Sequence, residues 1–282
     1  MQIGSRTLKI LVFINHFYGK NPYFVGRSSQ ISEKNEDERK KKAERRLAHI
    51  KATVDSLNTL GKKVEIKFCG YQGKSLVKLD FDFEKEIDKP TDIMYASLSK
   101  MGEFANRYDY FINIEDDILL SKETFDRIVS FDKNSNINEI LHPNRMELDD
   151  HGNLFCIDLK CVPGWTYTQR EFGGKVFRQA VNPHSGLAIF SKEKLKYALK
   201  NSDLKSKTIV LSKGMESAYA SVHSSFILWR AYDDIGFHSV FHQDKWVQPK
   251  KDLLTSITWR DFVPLIVLKL LKYMFLTFQR KE

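Results

Sequence analysis

The sequence has few of the residues that hold small domains together covalently or through a metal ion. Only three cysteines occur among its 282 residues, Cys69, Cys156 and Cys161, and their spacing matches no common zinc pattern. We therefore expect reduced thiols and a cytoplasmic protein, not a disulfide framework. Internal repeats and low-complexity segments are also missing, which excludes repeat architectures.

Two further absences concern phosphate binding and membranes. Neither GxxxxGK[ST] nor GxGxxG occurs, so a phosphate ligand would have to be held by a metal ion and basic side chains. The most apolar segment, Phe262–Phe278, is interrupted by Lys269 and Lys272, which disfavours a helix that spans a bilayer. The basic residues and aromatic edges predict instead a helix on an anionic membrane, with packing on protein as the alternative.

The composition that remains is that of a globular protein with a positive excess. Hydrophobic residues make up 42% of the chain, and 45 basic against 36 acidic residues leave a net charge of +9. A chain of this length can bury a sizeable core. Its positive charge favours an anionic partner such as a nucleotide, a phosphorylated substrate or an acidic membrane surface.

The first half of the chain alternates strand and helix patterns. Apolar runs at Thr7–Ile14, "KVEIKFCG" and "YDYFINI" predict buried strands, and the first run ends at polar residues, so we expect no signal peptide. Helices are predicted over residues 37–60 and 90–106. The apolar face of the first helix consists of Ala43, Leu47, Ile50, Val54 and Leu57. This alternation predicts an α/β fold with a mostly parallel central sheet flanked by helices.

The second half is less regular. Ser121 and Ser191 stand where N-caps of helices are expected. A further helix is predicted over residues 214–232, followed by the strand "GFHSVFH". We expect one domain over residues 1–250 and a basic apolar helix over residues 251–282.

The clearest chemical signal is the acidic triplet, Glu115, Asp116 and Asp117, which directly follows the apolar strand. Adjacent carboxylates repel one another unless a positive group neutralises them. Ligands of open α/β sheets bind beyond the carboxyl ends of strands, and Mg²⁺ or Mn²⁺ binds carboxylates together with phosphate oxygens. Strand alternation predicts that Glu115 and Asp117 face one cation while Asp116 points elsewhere. The alternative is that the acids only begin the next helix.

The segment "INIEDDILLSKETF" resembles the acidic strand-end motif of GT-A fold nucleotide-sugar glycosyltransferases, in the form found in N-acetylglucosaminyltransferase I-like enzymes. Three later segments are similar in order and spacing: "NPHSGLAIFSKEKL", "SKGMESAYASVHSSFILW" and "GFHSVFHQDKW". The resemblance implies a GT-A (Rossmann-like) sheet and a hexosyl- or N-acetylhexosaminyl-transferase. It also implies a nucleotide-diphosphate sugar donor and Mn²⁺ or Mg²⁺ as the cofactor.

The resemblance also implies roles for individual residues. The metal ligands would be Asp117 with Glu115, or with Asp116 as the alternative, and His242, with His238 as its competitor. The catalytic base would be Glu216, with Asp233 and Asp234 as second choices. The donor would contact Asn15, His16, Tyr18, Arg27, Asp116, Arg145, His184 and Gly186, where a side chain at Gly186 would collide with the sugar.

Together these features predict a metal-dependent, inverting glycosyltransferase of polysaccharide biosynthesis. It would act on a glycan or lipid-linked saccharide, peripherally on the inner face of the cytoplasmic membrane, without binding nucleic acid. A metal-dependent nucleotidyltransferase or nuclease is the first alternative, because such enzymes also need clustered carboxylates. A non-catalytic α/β binding protein is the second.

Overall fold

The computed structural model describes residues 7–19, 36–148, 151–156, 165–180, 182–202, 204 and 215–244, without the side chains of residues 215–217. All of them belong to one compact unit, Met1–Lys245; the other unit is Trp246–Glu282. Arg27 and the predicted helix of residues 251–282 lie outside the described residues, and the domain boundary at residue 250 stays a prediction.

The elements of the first half alternate as the sequence predicts. They are β1 (Ile10–His16), α1 (Glu36–Asn58), β2 (Val64–Gly70), β3 (Phe81–Asp82), α2 (Ile93–Gly102), β4 (Tyr110–Glu115), β5 (Ile118–Leu119) and α3 (Lys122–Asp132). The second half contains more strands. They and their helices are β6 (Glu139–Leu141), β7 (Asn144–Leu148), β8 (Leu154–Cys156), β9 (Trp165–Phe172), β10 (Lys175–Ala180), β11 (Leu187–Ser191), α4 (Lys192–Asn201), α5 (Met215–Val222), β12 (Ile227–Ala231) and β13 (Ser239–His242).

The central sheet has the strand order β11-β4-β1-β2-β3, and β11 is its one antiparallel member among the described strands. The predicted mostly parallel central sheet is therefore confirmed. The chain runs outward from β1 to β2 and β3 and then returns to β4 on the other side of β1. This reversal of strand order between β1 and β4 marks the point where open α/β sheets bind their ligands.

Alternate residues of β1 face two different cores. Val12 and Ile14 pack in one core with Leu57 of α1, whereas Phe13 packs in the other with Leu98 of α2. The two helices consequently cover opposite faces of the sheet. Full burial of each such side chain contributes about 1.5–3 kcal/mol, so the apolar strand and the two inner helix faces account for this arrangement.

Two smaller sheets complete the described unit, with the orders β6-β12-β10-β9 and β5-β13-β7-β8. In the second of these, β13 pairs antiparallel with β5, which places His242 opposite Ile118. Since β5 directly follows the acidic triplet, this pairing places His242 near the end of β4. The pairing of β13 with β5 thus brings together two segments that are far apart in the sequence.

Both predicted N-caps are present. The hydroxyl of Ser121 accepts a hydrogen bond from the backbone N–H of Thr124 at 3.1 Å, and that of Ser191 accepts from Lys194 N–H at 3.4 Å. These bonds satisfy backbone donors that the first turns of α3 and α4 leave without an intrahelical partner.

Two helix predictions need correction. In α1 the predicted residues Ile50 and Leu57 are buried and Val54 packs against the same core, but Leu47 is 41% exposed and Thr53 is buried instead. The inner face is therefore turned toward Thr53. The helix predicted over residues 214–232 ends at Val222, and its last part forms β12. This segment pairs with β6 on one side and β10 on the other, and these pairings override its helical pattern.

None of the helices in the described ranges combines the length and the apolar character that crossing a membrane requires.

Candidate functional site

The acidic triplet lies at the reversal point of the central sheet. Glu115 ends β4 opposite Asn15 of β1, and Asp116 and Asp117 form the turn that leads into β5. The neighbouring strand β1 ends at His16. The carboxylates therefore stand at the carboxyl ends of the two central strands, as the sequence predicts.

The three acids divide between the two faces of the sheet differently from the prediction. Asp116 and Asp117 both contact Arg46 of α1, whereas Glu115 contacts Tyr219 of α5. Strand alternation stops at Glu115, because the next two residues form a turn. Asp117 is still close enough for its charge to act on the pKa of Glu115, so a cation shared by these two acids stays a prediction.

Glu115 is held by a phenol and an imidazole. Its Oε1 atom accepts a hydrogen bond from the Tyr219 hydroxyl at 3.2 Å and lies 3.3 Å from Nε2 of His184. Burial opposes the charge of this carboxylate, but the hydrogen bond and charge of His184 outweigh it and lower the pKa of Glu115. His184 is itself fixed, since Arg230 donates to its carbonyl oxygen at 2.5 Å.

Asp116 is fully engaged by the protein. Nε2 of His16 accepts the backbone N–H of Leu76 at 3.0 Å, so the proton of this imidazole is on Nδ1, which donates to Asp116 Oδ2. Arg46 donates to both carboxylate oxygens of Asp116, and Thr53 donates to its carbonyl oxygen at 3.2 Å.

Asp117 lies between two positive groups. Nη1 of Arg46 donates to its Oδ2 atom at 2.6 Å, and Nε2 of His242 lies 3.4 Å from the same oxygen. Burial opposes the charge, but Arg46 and His242 outweigh it and hold the pKa of Asp117 well below its usual range. Its Oδ1 atom is buried without a hydrogen-bond partner among the described residues.

His242 forms a second ion pair behind Asp117. Its Nδ1 atom lies 2.5 Å from Oε1 of the buried Glu147. Burial alone lowers the pKa of His242, but Asp117 and then Glu147 raise it to about 10. The imidazole is thus a cation at neutral pH. His238, the competing candidate, is fully buried and lies 3.3 Å from the carbonyl oxygen of Leu141, so of these two candidates His242 is the one that reaches Asp117.

Arg46 is the contact that sequence reasoning missed. It lies four residues before Ile50 and seven before Thr53, so it extends the inner face of α1 toward the acids. A basic residue on the inner face of a helix is the sequence signal that indicates such a contact. The predicted inner face of α1 did not include Arg46. Burial opposes its charge, yet Asp117 and Asp116 outweigh this and raise the pKa of Arg46 further. The carboxylate of Asp244 lies 3.6 Å from its Nη1 atom.

The expected divalent cation does not fit these side chains as they are arranged. Within the described residues, no group of three or more His, Cys, Asp or Glu side chains could hold a metal ion. The position between Asp116 and Asp117 is taken by the guanidinium of Arg46. Its three short contacts use both oxygens of Asp116 and one of Asp117.

Other residues that were predicted to contact the nucleotide-sugar donor interact with groups of the protein itself. Asn15 is buried and donates to the amide oxygen of Asn113, and the Tyr18 hydroxyl donates to the carbonyl oxygen of Arg39 at 3.3 Å. Arg145 is buried in β7, close enough for its charge to contribute to lowering the pKa of Glu115.

Gly186 requires no ligand to explain it. Its φ angle is +77°, and a Cβ atom there would lie 2.6 Å from the side chain of Ile118. Its carbonyl oxygen accepts the backbone N–H of Glu115 at 2.8 Å. The glycine therefore allows β11 to approach the acidic triplet closely.

The two proposed bases differ in position. Glu216 is the second residue of α5, three residues before Tyr219, and only its backbone is described. Asp234 follows β12 and pairs with Lys175 at 2.9 Å, with its side chain 44% exposed. Asp233 accepts the backbone N–H of Val176 at 3.1 Å. Asp233 and Asp234 thus have partners away from the triplet.

Known proteins were compared with this chain by sequence and by structure. No protein-family model matches it, and no curated protein sequence does. The crystal structure of A197 from STIV is similar to this chain with a TM-score of 0.34 and a sequence identity of 10%. The similarity covers 86% of this chain and 97% of that chain. A glycosyltransferase involved in the glycosylation of the major capsid of PBCV-1 is 11% identical, with a TM-score of 0.34, over 84% and 94% of the two chains. The fold is mixed α/β, and these similarities are too weak to add an activity to it.

Proposed function

We propose that this protein is a glycosyltransferase that moves a sugar from a nucleotide-diphosphate donor to a hydroxyl group of a glycan or lipid-linked saccharide. One observation carries the proposal: the three segments that resemble a glycosyltransferase pocket converge on the acidic triplet. His184 and Tyr219 contact Glu115, and His242 contacts Asp117. These contacts come from the loop before β11, from α5 and from β13, which are far apart in the chain.

The site is suited to a donor with a charged leaving group. It lies at the reversal point of a parallel sheet, where nucleotides commonly bind. The polar groups around the acids are fixed by buried hydrogen bonds, so they need little reorganisation during a reaction. Arg46 and His242 offset part of the negative charge of the acids that a diphosphate would approach.

The proposed reaction is a displacement at the anomeric carbon. Glu216 takes the proton of the acceptor hydroxyl, whose oxygen forms the new bond to that carbon. The bond between the carbon and the diphosphate breaks, and its electron pair leaves with the nucleoside diphosphate. A single displacement of this kind inverts the anomeric configuration.

Donor binding tests the proposal. Thermal stabilisation is measured with a panel of nucleotide-diphosphate sugars and nucleoside diphosphates, in Mn²⁺ and in EDTA. We expect one donor and its nucleoside diphosphate to raise the melting temperature, and Asp117→Asn to lose the response. Asp126→Asn, a change to a carboxylate that is 56% exposed on α3, is the control. The proposal is abandoned if no nucleotide stabilises the protein under either condition.

Transfer itself tests the role of Glu216. Glu216→Gln should retain donor stabilisation while lowering kcat by about 100-fold or more, because it removes the acceptor of the hydroxyl proton. Product NMR should show an inverted anomeric centre. Full activity of Glu216→Gln, or a retained configuration, would remove this residue from the mechanism.

We also propose that the protein works peripherally at the inner membrane face, where a lipid-linked acceptor would be found. The support is the basic apolar sequence Phe262–Phe278. Co-sedimentation of the full chain with anionic vesicles, reduced with neutral vesicles and by high salt, is the expected result. Equal partition with both vesicle types would contradict an electrostatic attachment.

A further inference from the structure

The acids at the end of β4 already have a cation, and this cation belongs to the protein. Arg46 donates from Nε and Nη2 to the two oxygens of Asp116 and from Nη1 to Oδ2 of Asp117 at 2.6 Å. Two-point binding of this kind is specific to the planar guanidinium group. Asp244 adds a third carboxylate at 3.6 Å from Nη1.

A divalent cation and Arg46 would compete for the same atoms. Mg²⁺ requires oxygen ligands at about 2.0–2.1 Å in a nearly octahedral shell, so it would have to displace N–H donors from Asp116 or Asp117. It would also approach the guanidinium group of Arg46, whose positive charge repels it. The one carboxylate oxygen of Asp117 without a partner, Oδ1, is a single ligand and not a shell.

We propose that Arg46 is the resident cation of this site and takes the place that a divalent metal has in the resembled enzymes. The guanidinium group has five N–H donors, of which three make the short contacts described above. The side chain is 22% exposed, so part of it can be reached from solvent.

The role of Arg46 in catalysis rests on the proposed function. As the bond between the anomeric carbon and the diphosphate breaks, negative charge grows on the departing diphosphate oxygen. A guanidinium group stays charged throughout and stabilises that oxygen by charge and hydrogen bonding. The transfer then proceeds without an added divalent cation.

Binding of Mn²⁺, followed by electron paramagnetic resonance, tests the proposal without any activity measurement. The wild-type protein should bind Mn²⁺ only weakly. Arg46→Gln should bind one equivalent at least about tenfold more tightly, because the carboxylates lose their internal counter-ion. Adding Asp117→Asn to Arg46→Gln should abolish this gain. Arg45→Gln is the matched control, since its side chain is 65% exposed and makes only a 3.7 Å contact with Asp244.

The opposite results overturn the proposal. These are a wild-type Mn²⁺ site that Asp117→Asn removes, or an Arg46→Gln variant whose Mn²⁺ affinity equals that of the wild type. Should Arg46→Gln fail to fold, Arg46→Lys provides the second test. It keeps the charge and loses the two-point geometry, so it should exclude Mn²⁺ as the wild type does, and tight Mn²⁺ binding by it would contradict the proposal.

The donor experiment separates this proposal from the proposed function. Donor stabilisation that persists in EDTA supports both proposals. A donor that binds the wild-type protein only with Mn²⁺ overturns the role of Arg46 and leaves the glycosyltransferase proposal standing. Absence of donor binding ends the functional proposal, while the Mn²⁺ measurements still decide whether Arg46 is the resident cation.

Discussion

The hydroxyl group of Tyr219 donates a hydrogen bond to Oε1 of Glu115 across 3.2 Å. This bond ties α5 to the end of β4, although the two elements are about a hundred residues apart in the chain. His184 approaches the same oxygen, and its ring packs against that of Tyr219 with centroids 4.7 Å apart. The first acid of the triplet is thereby fixed by groups from α5 and from the loop before β11.

Tyr219→Phe should lower the free energy of unfolding by about 1–3 kcal/mol, because the partly buried carboxylate of Glu115 loses one of its donors. Urea denaturation of the two proteins measures the difference. Tyr167→Phe is the control, since Tyr167 is 93% exposed and should not respond. Equal losses in both variants would show that the bond to Glu115 contributes nothing to stability.

Alanine at three glycine positions should separate backbone strain from steric collision. Gly186→Ala combines a φ of +77° with a clash against Ile118, Gly174→Ala meets only a φ of +71°, and Gly61→Ala meets neither. We expect a loss of more than about 2 kcal/mol at Gly186, about 1 kcal/mol at Gly174 and no loss at Gly61. Thermal melting of the three variants checks the order, which a stable Gly186→Ala variant would contradict.

The buried ion pair between Lys194 and Asp132 should behave as a unit. Its atoms lie 2.5 Å apart and its side chains are 3% and 8% exposed. Burial lowers the pKa of Lys194 and raises that of Asp132 despite the pairing. Lys194→Met should cost about 3–5 kcal/mol because it leaves a buried carboxylate unpaired, and adding Asp132→Leu should recover part of this. Strictly additive losses in urea denaturation would contradict coupling of the two groups.

The carboxylate of Glu139 should make stability depend on acid pH. Burial opposes its charge, but the hydrogen bond from Arg170, with those from Asn136 and Trp229, lowers its pKa below the ordinary value of 4.5. Its contribution is therefore present above about pH 4.5 and is lost as the pH falls through the lower folded-state value.

Glu139→Gln should consequently be about 1–3 kcal/mol less stable than the wild type near pH 7, with a difference that shrinks near pH 3. Unfolding free energies at both pH values measure this. Glu123→Gln, at a carboxylate that is 73% exposed, should differ little from the wild type at either pH. A Glu139→Gln deficit that grows on acidification would contradict the sign of the shift.

The position of the acids could be predicted from sequence, because it follows from local patterns. An apolar strand such as "YFINI" must be buried, and the acids that follow it must therefore lie at its carboxyl end. The caps at Ser121 and Ser191 follow in the same way from residue type and neighbouring pattern. The strand predicted from "GFHSVFH" is present as β13, and its pairing with β5 brings His242 to Asp117.

The partners of the acids could not be predicted, because they depend on how elements pack. Arg46 contacts Asp117 only because α1 lies over the end of β4 with a particular rotation, and the predicted face around Leu47 had the wrong rotation. The helix predicted around Tyr219 is longer than α5, because its last part forms β12 instead. The turn at Asp116 likewise replaced the expected strand alternation.

The contact of Arg46 with two consecutive acids also constrains how this chain can change during evolution. Loss of the arginine alone would leave two buried carboxylates facing each other, and loss of both acids would leave a partly buried guanidinium held by Asp244 alone. Positions 46, 116 and 117 should therefore vary together in homologous chains. A homologue with an uncharged residue at position 46 is expected either to lack one of these acids or to have acquired a dependence on divalent cations.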